Sequence, residues 1–233
     1  MGTLIKSIVC AALLFICACG NTTSSNKKPL QNKVDWEATP FAFEGCKMYY
    51  KGTEFELGWH IQDYEKVFGK GYRRVDAIGS FGHDNIFTFD SVGIMMLGER
   101  YGNNAQKDTI NQINIVFNYN YRELDYFTEK EGLTDKMQIA DNYARPKKFY
   151  TRNISINGVV LQLGPQGLSV QEVNRRVANT NASFNQSALK SLWRYHAYCH
   201  PETNDSTTVY SLVVDDNPEK IQQMDILKSF GGF

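Results

Sequence analysis

The sequence predicts an α+β fold made of two similar units, each an antiparallel sheet with one short helix packed on one face. Three observations indicate this class. Strand-like runs of alternating polarity predominate, each half of the chain holds one short amphipathic segment, and the order of these elements is the same in both halves. A helix on one side of hairpin-connected strands is the simplest way for such strands to bury a single face.

The two halves match at a nearly constant spacing. Residues 43–58 match residues 149–164 at an offset of 106, and the offset grows slightly further on, as loop insertions would cause. Short apolar patterns also coincide by chance, which is the alternative to an internal repeat. The matched positions include Phe43 with Phe149, Met48 with Ile154, Tyr50 with Ile156, Gly52 with Gly158, Ile61 with Val170, Tyr64 with Val173, Phe68 with Val177, and residues 110–115 with 221–226.

In the second half, Asn157-Gly158 lies between two alternating apolar runs, which indicates a tight hairpin. Ser169 and Glu172 then have the spacing of a capping box, in which the serine oxygen accepts a backbone N–H. Val170, Val173 and Val177 follow at helical spacing and form one apolar stripe.

The first half has the same order with weaker signals. Lys51-Gly52 takes the place of the hairpin turn, and Gly69 offers a left-handed stop for the helix. Strands should follow each helix at 86–89, 93–97 and 113–117, and at 192–198, 209–214 and 224–227. The apolar stripe of the first helix comprises Ile61, Tyr64, Val67 and Phe68.

The domain boundaries follow from these elements. We expect a signal peptide over 1–18, a lipidated cysteine and tether over 19–40, a first repeat over 41–119, a connecting segment over 120–148 and a second repeat over 149–233. The connecting segment is polar, is too long for a simple turn, and contains a short helical pattern at 122–130.

The order of helix, aromatic strands and a final Ile-x-x-Ile strand resembles the small repeat of β-lactamase-inhibitor proteins and of the lipoprotein subunit of the outer-membrane barrel-assembly machinery. It is also similar to bacterial domains found near toxin–immunity loci. The resemblance covers residues 43–118 and 149–228 and rests on pattern, with no invariant motif. By analogy it implies a protein-binding role.

The amino terminus has the form of a signal peptide, with Lys6 before a short apolar run, residues 8–18. The sequence Ile-Cys-Ala-Cys-Gly that ends this run resembles a lipobox, which implies that Cys19 carries the lipid (palmitate); an ordinary secretory signal is the alternative. Residues 21–33 are polar and predict a flexible tether. Because Gly20 and not Asp follows the cysteine, likeness to enteric lipoproteins favours the outer membrane, with either the periplasmic or the surface face.

Composition limits the partners. Lys+Arg and Asp+Glu both number 25, so no basic field predicts nucleic-acid binding. Thirteen Tyr and fourteen Phe suit half-buried strands and also contact surfaces. After removal of the signal peptide, Cys46 and Cys199 are the remaining thiols, and they could form a disulfide or stay as two buried cysteines.

Signals for chemistry are weak, and no cofactor is expected. His196, Cys199 and His200 lie close together, but a zinc site needs a fourth ligand, which His60 or His83 would have to supply. A metal- or cysteine-dependent hydrolase that uses these three residues is therefore the alternative function, and a carrier of a small apolar ligand is a third.

The leading hypothesis is a non-enzymatic binding or scaffolding lipoprotein of the cell envelope, in a sharper form inhibitor-like or immunity-like, with an envelope protein as its partner. The candidate binding-face aromatics are Tyr72, Phe81, Tyr101, Trp193, Tyr195 and Tyr198.

Overall fold

A computed structural model gives a mainly β fold with one five-stranded and one eight-stranded sheet. The predicted α+β class with one sheet per unit is wrong, because the strands of both halves merge into two shared sheets, beside which the described residues contain two short helices. The structure describes residues 34–76, 85–98, 108–118, 144–199, 206–214 and 220–230.

The elements occur in the same order in both halves of the chain, apart from one additional strand at the start. The first half comprises β1 (Phe41–Glu44), β2 (Lys47–Tyr50), β3 (Thr53–Phe55), α1 (Ile61–Phe68), β4 (Arg73–Asp76), β5 (Asn85–Phe89), β6 (Ile94–Gly98) and β7 (Ile110–Val116). The second half comprises β8 (Ile154–Ile156), β9 (Val159–Leu161), α2 (Val170–Val177), β10 (Asn185–Gln186), β11 (Leu192–Tyr198), β12 (Ser206–Val214) and β13 (Ile221–Phe230).

The eight-stranded sheet joins the halves through their last strands. Its order is β10-β11-β12-β13-β7-β6-β5-β4, and β7 pairs antiparallel with β13 at its centre. In β7, residues 113–116 are all buried, so this strand has both faces covered and suits the middle of a sheet better than an edge. The expected separate sheets are therefore replaced by one continuous sheet.

The five-stranded sheet has the order β3-β2-β1-β8-β9. Strand β1 lies between the two hairpins and pairs antiparallel with β2 and parallel with β8. The hairpin of the second half is thereby joined to the first half through β1, which the sequence analysis did not recognise as a strand.

The strand registers of both sheets relate the two halves by a pseudo-two-fold symmetry. Ala42 pairs with Tyr49 on one side and with Ser155 on the other, and these two residues are matched by the sequence repeat. In the larger sheet Asn114 lies opposite Asp225, again a matched pair. Each sheet therefore has a local pseudo-two-fold relation between the halves, centred on Ala42 in one sheet and on the Asn114–Asp225 pair in the other, while β1 has no counterpart.

Both predicted hairpin turns are confirmed. Lys51 and Asn157 have φ of 48° and 49°, and Gly52 and Gly158 follow at 82° and 81°. Two successive residues with positive φ make a turn whose twist matches that of the flanking strands. The same local chemistry thus closes both hairpins.

Both predicted helices are also confirmed. Ser169 caps α2 by accepting the backbone N–H of Glu172, and Gly69 ends α1 with a φ of 91°. The expected apolar stripes are buried, except that Val67 is only partly so. No helix within the described ranges is long and apolar enough to cross a membrane.

One continuous core lies between the two sheets and includes the buried stripes of both helices. Phe43 of β1 packs against Tyr210 of β12, and Phe68 of α1 packs against Phe89 of β5. The segment that leads into β8 passes close to this core at Gly93, where an added Cβ would lie 2.6 Å from the backbone nitrogen of Tyr150. Gly93 therefore permits the close approach of that segment.

Candidate functional site

A disulfide between Cys46 and Cys199 connects the two halves of the chain. Cys46 lies in the turn between β1 and β2, and Cys199 directly follows β11, with their Cα atoms 5.3 Å apart. Of the two states left open by the sequence, the structure thus has the bridge. A bridged sulfur is not a thiolate, so Cys199 in this form is neither a nucleophile nor a zinc ligand.

An open cleft of about 690 Å³ lies beside this disulfide. We call it the amide cleft because three asparagines line it. It is bounded by the end of β1, the tip of the β8–β9 hairpin, the segment after α2 and the end of β11. The lining residues are Glu44, Gly45, Asn157, Asn179, Thr180, Asn181, Tyr195, His196, Ala197 and Tyr198.

The alternation of β11 decides which of its side chains face solvent. Tyr195 and Ala197 point into the core, whereas His196 and Tyr198 point outward. Tyr198 is 62% exposed, which makes it one of four exposed large hydrophobic residues in the described part of the chain. An exposed aromatic ring beside a cleft is a common feature of contact surfaces.

The base of the amide cleft is held in place by hydrogen bonds. The Asn157 side chain accepts the Gly45 N–H at 3.0 Å and donates to the Tyr195 hydroxyl at 3.4 Å. The Tyr210 hydroxyl donates to the Gly45 carbonyl at 2.7 Å, and burial raises the pKa of Tyr210 well above its usual range. These contacts fix the turn that presents Glu44.

The donors and acceptors of the amide cleft suit non-covalent recognition. Its wall offers amides, a carboxylate and an imidazole. Among the described residues no group of three or more His, Cys, Asp and Glu could hold a metal ion. His60, considered above as a fourth ligand, lies elsewhere, with its Nε2 3.9 Å from the Asp108 carboxylate.

A second cleft, of about 390 Å³, occupies the equivalent place in the first half. We call it the basic cleft. Lys51 at the tip of the first hairpin corresponds to Asn157, and Val92 after β5 corresponds to Tyr198. The two clefts therefore share a position in the repeat but differ in charge. The basic cleft is lined by Pro40, Tyr50, Lys51, Phe68, Ser91, Val92, Lys148, Phe149, Tyr150, Thr151 and Arg152.

A polar cluster that the sequence analysis missed lies at the centre of the eight-stranded sheet, on the face opposite the core. Gln112 donates to Asn114, and the matched Gln223 donates to Asp225. Burial raises the pKa of Asp225 to about 7, although Gln223 and the charge of Arg194 act in the opposite direction. The polar positions of the matched segments 110–115 and 221–226 were the available signal.

The other candidate aromatics divide between core and surface. Tyr72 is half-buried against Phe87 and Phe89, and Trp193 is partly buried against the core. Of the candidate face, the structure thus leaves Tyr198 exposed beside a cleft. Cys19, Phe81, His83, Tyr101 and His200, like the helical pattern at 122–130, lie outside the described residues.

Comparison with known proteins gives one match. Residues 41–163, more than half of the chain, match a family model described as a domain of unknown function, DUF7738. The match does not link the chain to the inhibitor or lipoprotein families that the repeat pattern resembles. Neither curated proteins nor solved structures give a match. The match spans the whole five-stranded sheet and strands β4 to β7 of the larger one, and the chain belongs to the DUF7738 family.

Proposed function

We propose that this protein is a lipid-anchored component of the cell envelope that binds another envelope protein without catalysing a reaction. The observation that carries the proposal is the Cys46–Cys199 disulfide, because stable disulfides belong to exported proteins. It agrees with the signal-peptide and lipobox patterns, which predict a lipid on Cys19 and favour the outer membrane over the inner membrane.

The amide cleft is the proposed recognition site. Its walls come from both halves of the chain, which the disulfide fastens together beside it. Asn179 and Asn181 are exposed, and among the described residues Glu44 forms no ion pair, so these side chains are available to a partner. A polar segment that carries a basic group for Glu44 and an apolar group for Tyr198 fits this surface. An inhibitor-like or immunity-like role would use the same surface for a tight, specific partner.

Site-specific photocrosslinking in the producing bacterium tests this proposal. A benzophenone amino acid replaces Tyr198 in the cleft or, as a control, the equally exposed Leu189 outside it. We expect a defined crosslinked species from position 198 alone. Asn179→Ala with Asn181→Ala should weaken that species at least several-fold, whereas Gln171→Ala, outside the cleft on α2, should not. Equal crosslinking at both positions, or none at either, would contradict the proposal.

We also propose that the two halves arose by duplication of one unit. The support is the common order of elements together with the pseudo-two-fold registers of both sheets. On this proposal β1 was added later, because it lies at the centre of the five-stranded sheet and has no counterpart.

A further inference from the structure

We propose that the basic cleft docks on anionic phospholipid headgroups of the membrane that carries the anchor, and so holds the domain in one orientation with the amide cleft free. This rests on the proposed lipid anchor. The ligand chemistry is a phosphodiester at a bilayer surface.

The cleft is strongly one-sided in charge. Three basic residues line it, Lys51, Lys148 and Arg152, and all three are exposed. No carboxylate is among its lining residues. The nearby Asp90 carboxylate is held by Arg73 and by the backbone N–H of Lys147 at 2.7 Å. Its charge is therefore already countered by its own partners. Each basic side chain close to an anionic bilayer surface contributes about 1 kcal/mol to binding.

An exposed aromatic ring stands among these cations. Phe149 is 44% exposed and directly follows Lys148. Basic residues around an exposed aromatic ring are typical of surfaces that sit in the headgroup region, because the ring enters the interface while the cations meet phosphates. Of the two equivalent clefts, this combination occurs only in the first.

The cleft also lies near residue 34, the first residue that the structure describes. Pro40 lines it, the Asn153 N–H donates to the Ala38 carbonyl at 3.2 Å, and Arg152 reaches the Glu37 carbonyl at 3.4 Å. From Cys19 to residue 34 the chain spans at most about 50 Å when fully extended. An anchor on Cys19 therefore keeps the basic cleft within reach of the bilayer.

The test uses the protein purified from bacterial membranes and reconstituted into vesicles of phosphatidylcholine alone or with phosphatidylglycerol. Brominated lipids report contact of a Phe149→Trp variant as quenching beyond that of the parent protein. We expect this extra quenching only in anionic vesicles. The triple variant Lys51→Gln, Lys148→Gln, Arg152→Gln should lower the docked-to-undocked ratio roughly 100-fold, about fivefold per charge. The control Lys47→Gln, Arg175→Gln, Lys190→Gln removes the same charge outside the cleft and should leave quenching unchanged.

The outcomes separate the two proposals. Failure of the protein to float with neutral vesicles would contradict the lipid anchor on Cys19, while extra quenching in anionic vesicles would still support docking. Flotation with both vesicle types, but equal quenching of the Phe149→Trp variant with and without the triple substitution, would overturn docking alone. Glycerol phosphate, compared with sodium chloride at equal ionic strength, tests whether the cleft binds a soluble phosphate instead of a lipid headgroup. If the Phe149→Trp variant shows no extra quenching in anionic vesicles, but glycerol phosphate changes its tryptophan fluorescence and the salt does not, the cleft is a site for a soluble phosphate, and membrane docking is wrong.

Discussion

Replacing Asp225 by Asn removes an ionisable group from the centre of the eight-stranded sheet, and we expect the variant to be more stable than the parent at neutral and alkaline pH. The opposite position gives the reason. Asn114 occupies the symmetry-related place and accepts the same hydrogen bond from Gln112 that Asp225 accepts from Gln223. An asparagine at 225 can therefore keep that bond without a charge.

The size of the effect follows from the pKa of Asp225, which burial raises from 3.8 to about 7. A carboxyl group whose pKa is higher in the folded state binds more protons there than in the unfolded chain. The contribution of the Asp225 carboxyl group to stability is therefore most favourable below its pKa in the unfolded chain, and it is lost as pH rises from about 4 to about 7. A shift of this size corresponds to at most about 4 kcal/mol.

Urea unfolding of the parent and of Asp225→Asn between pH 4 and pH 8.5 measures this difference directly. The two curves should nearly coincide at pH 4 and diverge by up to about 4 kcal/mol at pH 8. Asp63→Asn, at a partly exposed position of α1, is the matched control for the loss of one carboxylate and should not raise the free energy of unfolding at pH 8. A constant difference between parent and Asp225→Asn over the whole range would refute the reasoning.

Three further predictions concern stability under non-reducing conditions. Replacing both Cys46 and Cys199 by Ser opens a bridge across a separation of 153 residues and should lower the free energy of unfolding by about 5 kcal/mol; a loss below about 1 kcal/mol would contradict the entropic reasoning. Ser169→Ala removes the cap of α2 and should cost about 1 kcal/mol, measured by urea unfolding, while no change would exclude a capping role. Gly93→Ala places a Cβ against the Tyr150 backbone and should cost more than about 3 kcal/mol; unchanged thermal unfolding would mean that the segment before β8 yields easily.

Local features of this fold could be predicted from the sequence. Asn157-Gly158 and Ser169 each specify their structure through neighbours within a few residues, so the hairpin and the helix start follow from short motifs. The pairing of β7 with β13 joins residues about a hundred positions apart, and periodicity states which face of a strand is buried but not which strand lies beside it. The α+β expectation failed at that step.

The candidate sites show the same difference between local features, which the sequence predicts, and long-range pairing, which it does not. Cys46 and Cys199 could be identified from the sequence because they are the two cysteines that remain after the lipobox. Tyr198 could be identified because it lies in a predicted strand. The clefts were not, because their walls are assembled by long-range pairing. Lys51 and Arg152 line the same cleft only because β1 pairs with β2 on one side and with β8 on the other.

The intact mass of the protein extracted from membranes of its own host tests the central claim, an exported and lipid-anchored protein, most directly. The measurement is made with and without reductant before alkylation. The account predicts loss of residues 1–18, a diacyl or triacyl increment on Cys19, and protection of Cys46 and Cys199 until the disulfide is reduced. An unlipidated mass with both thiols alkylated without reductant would contradict it.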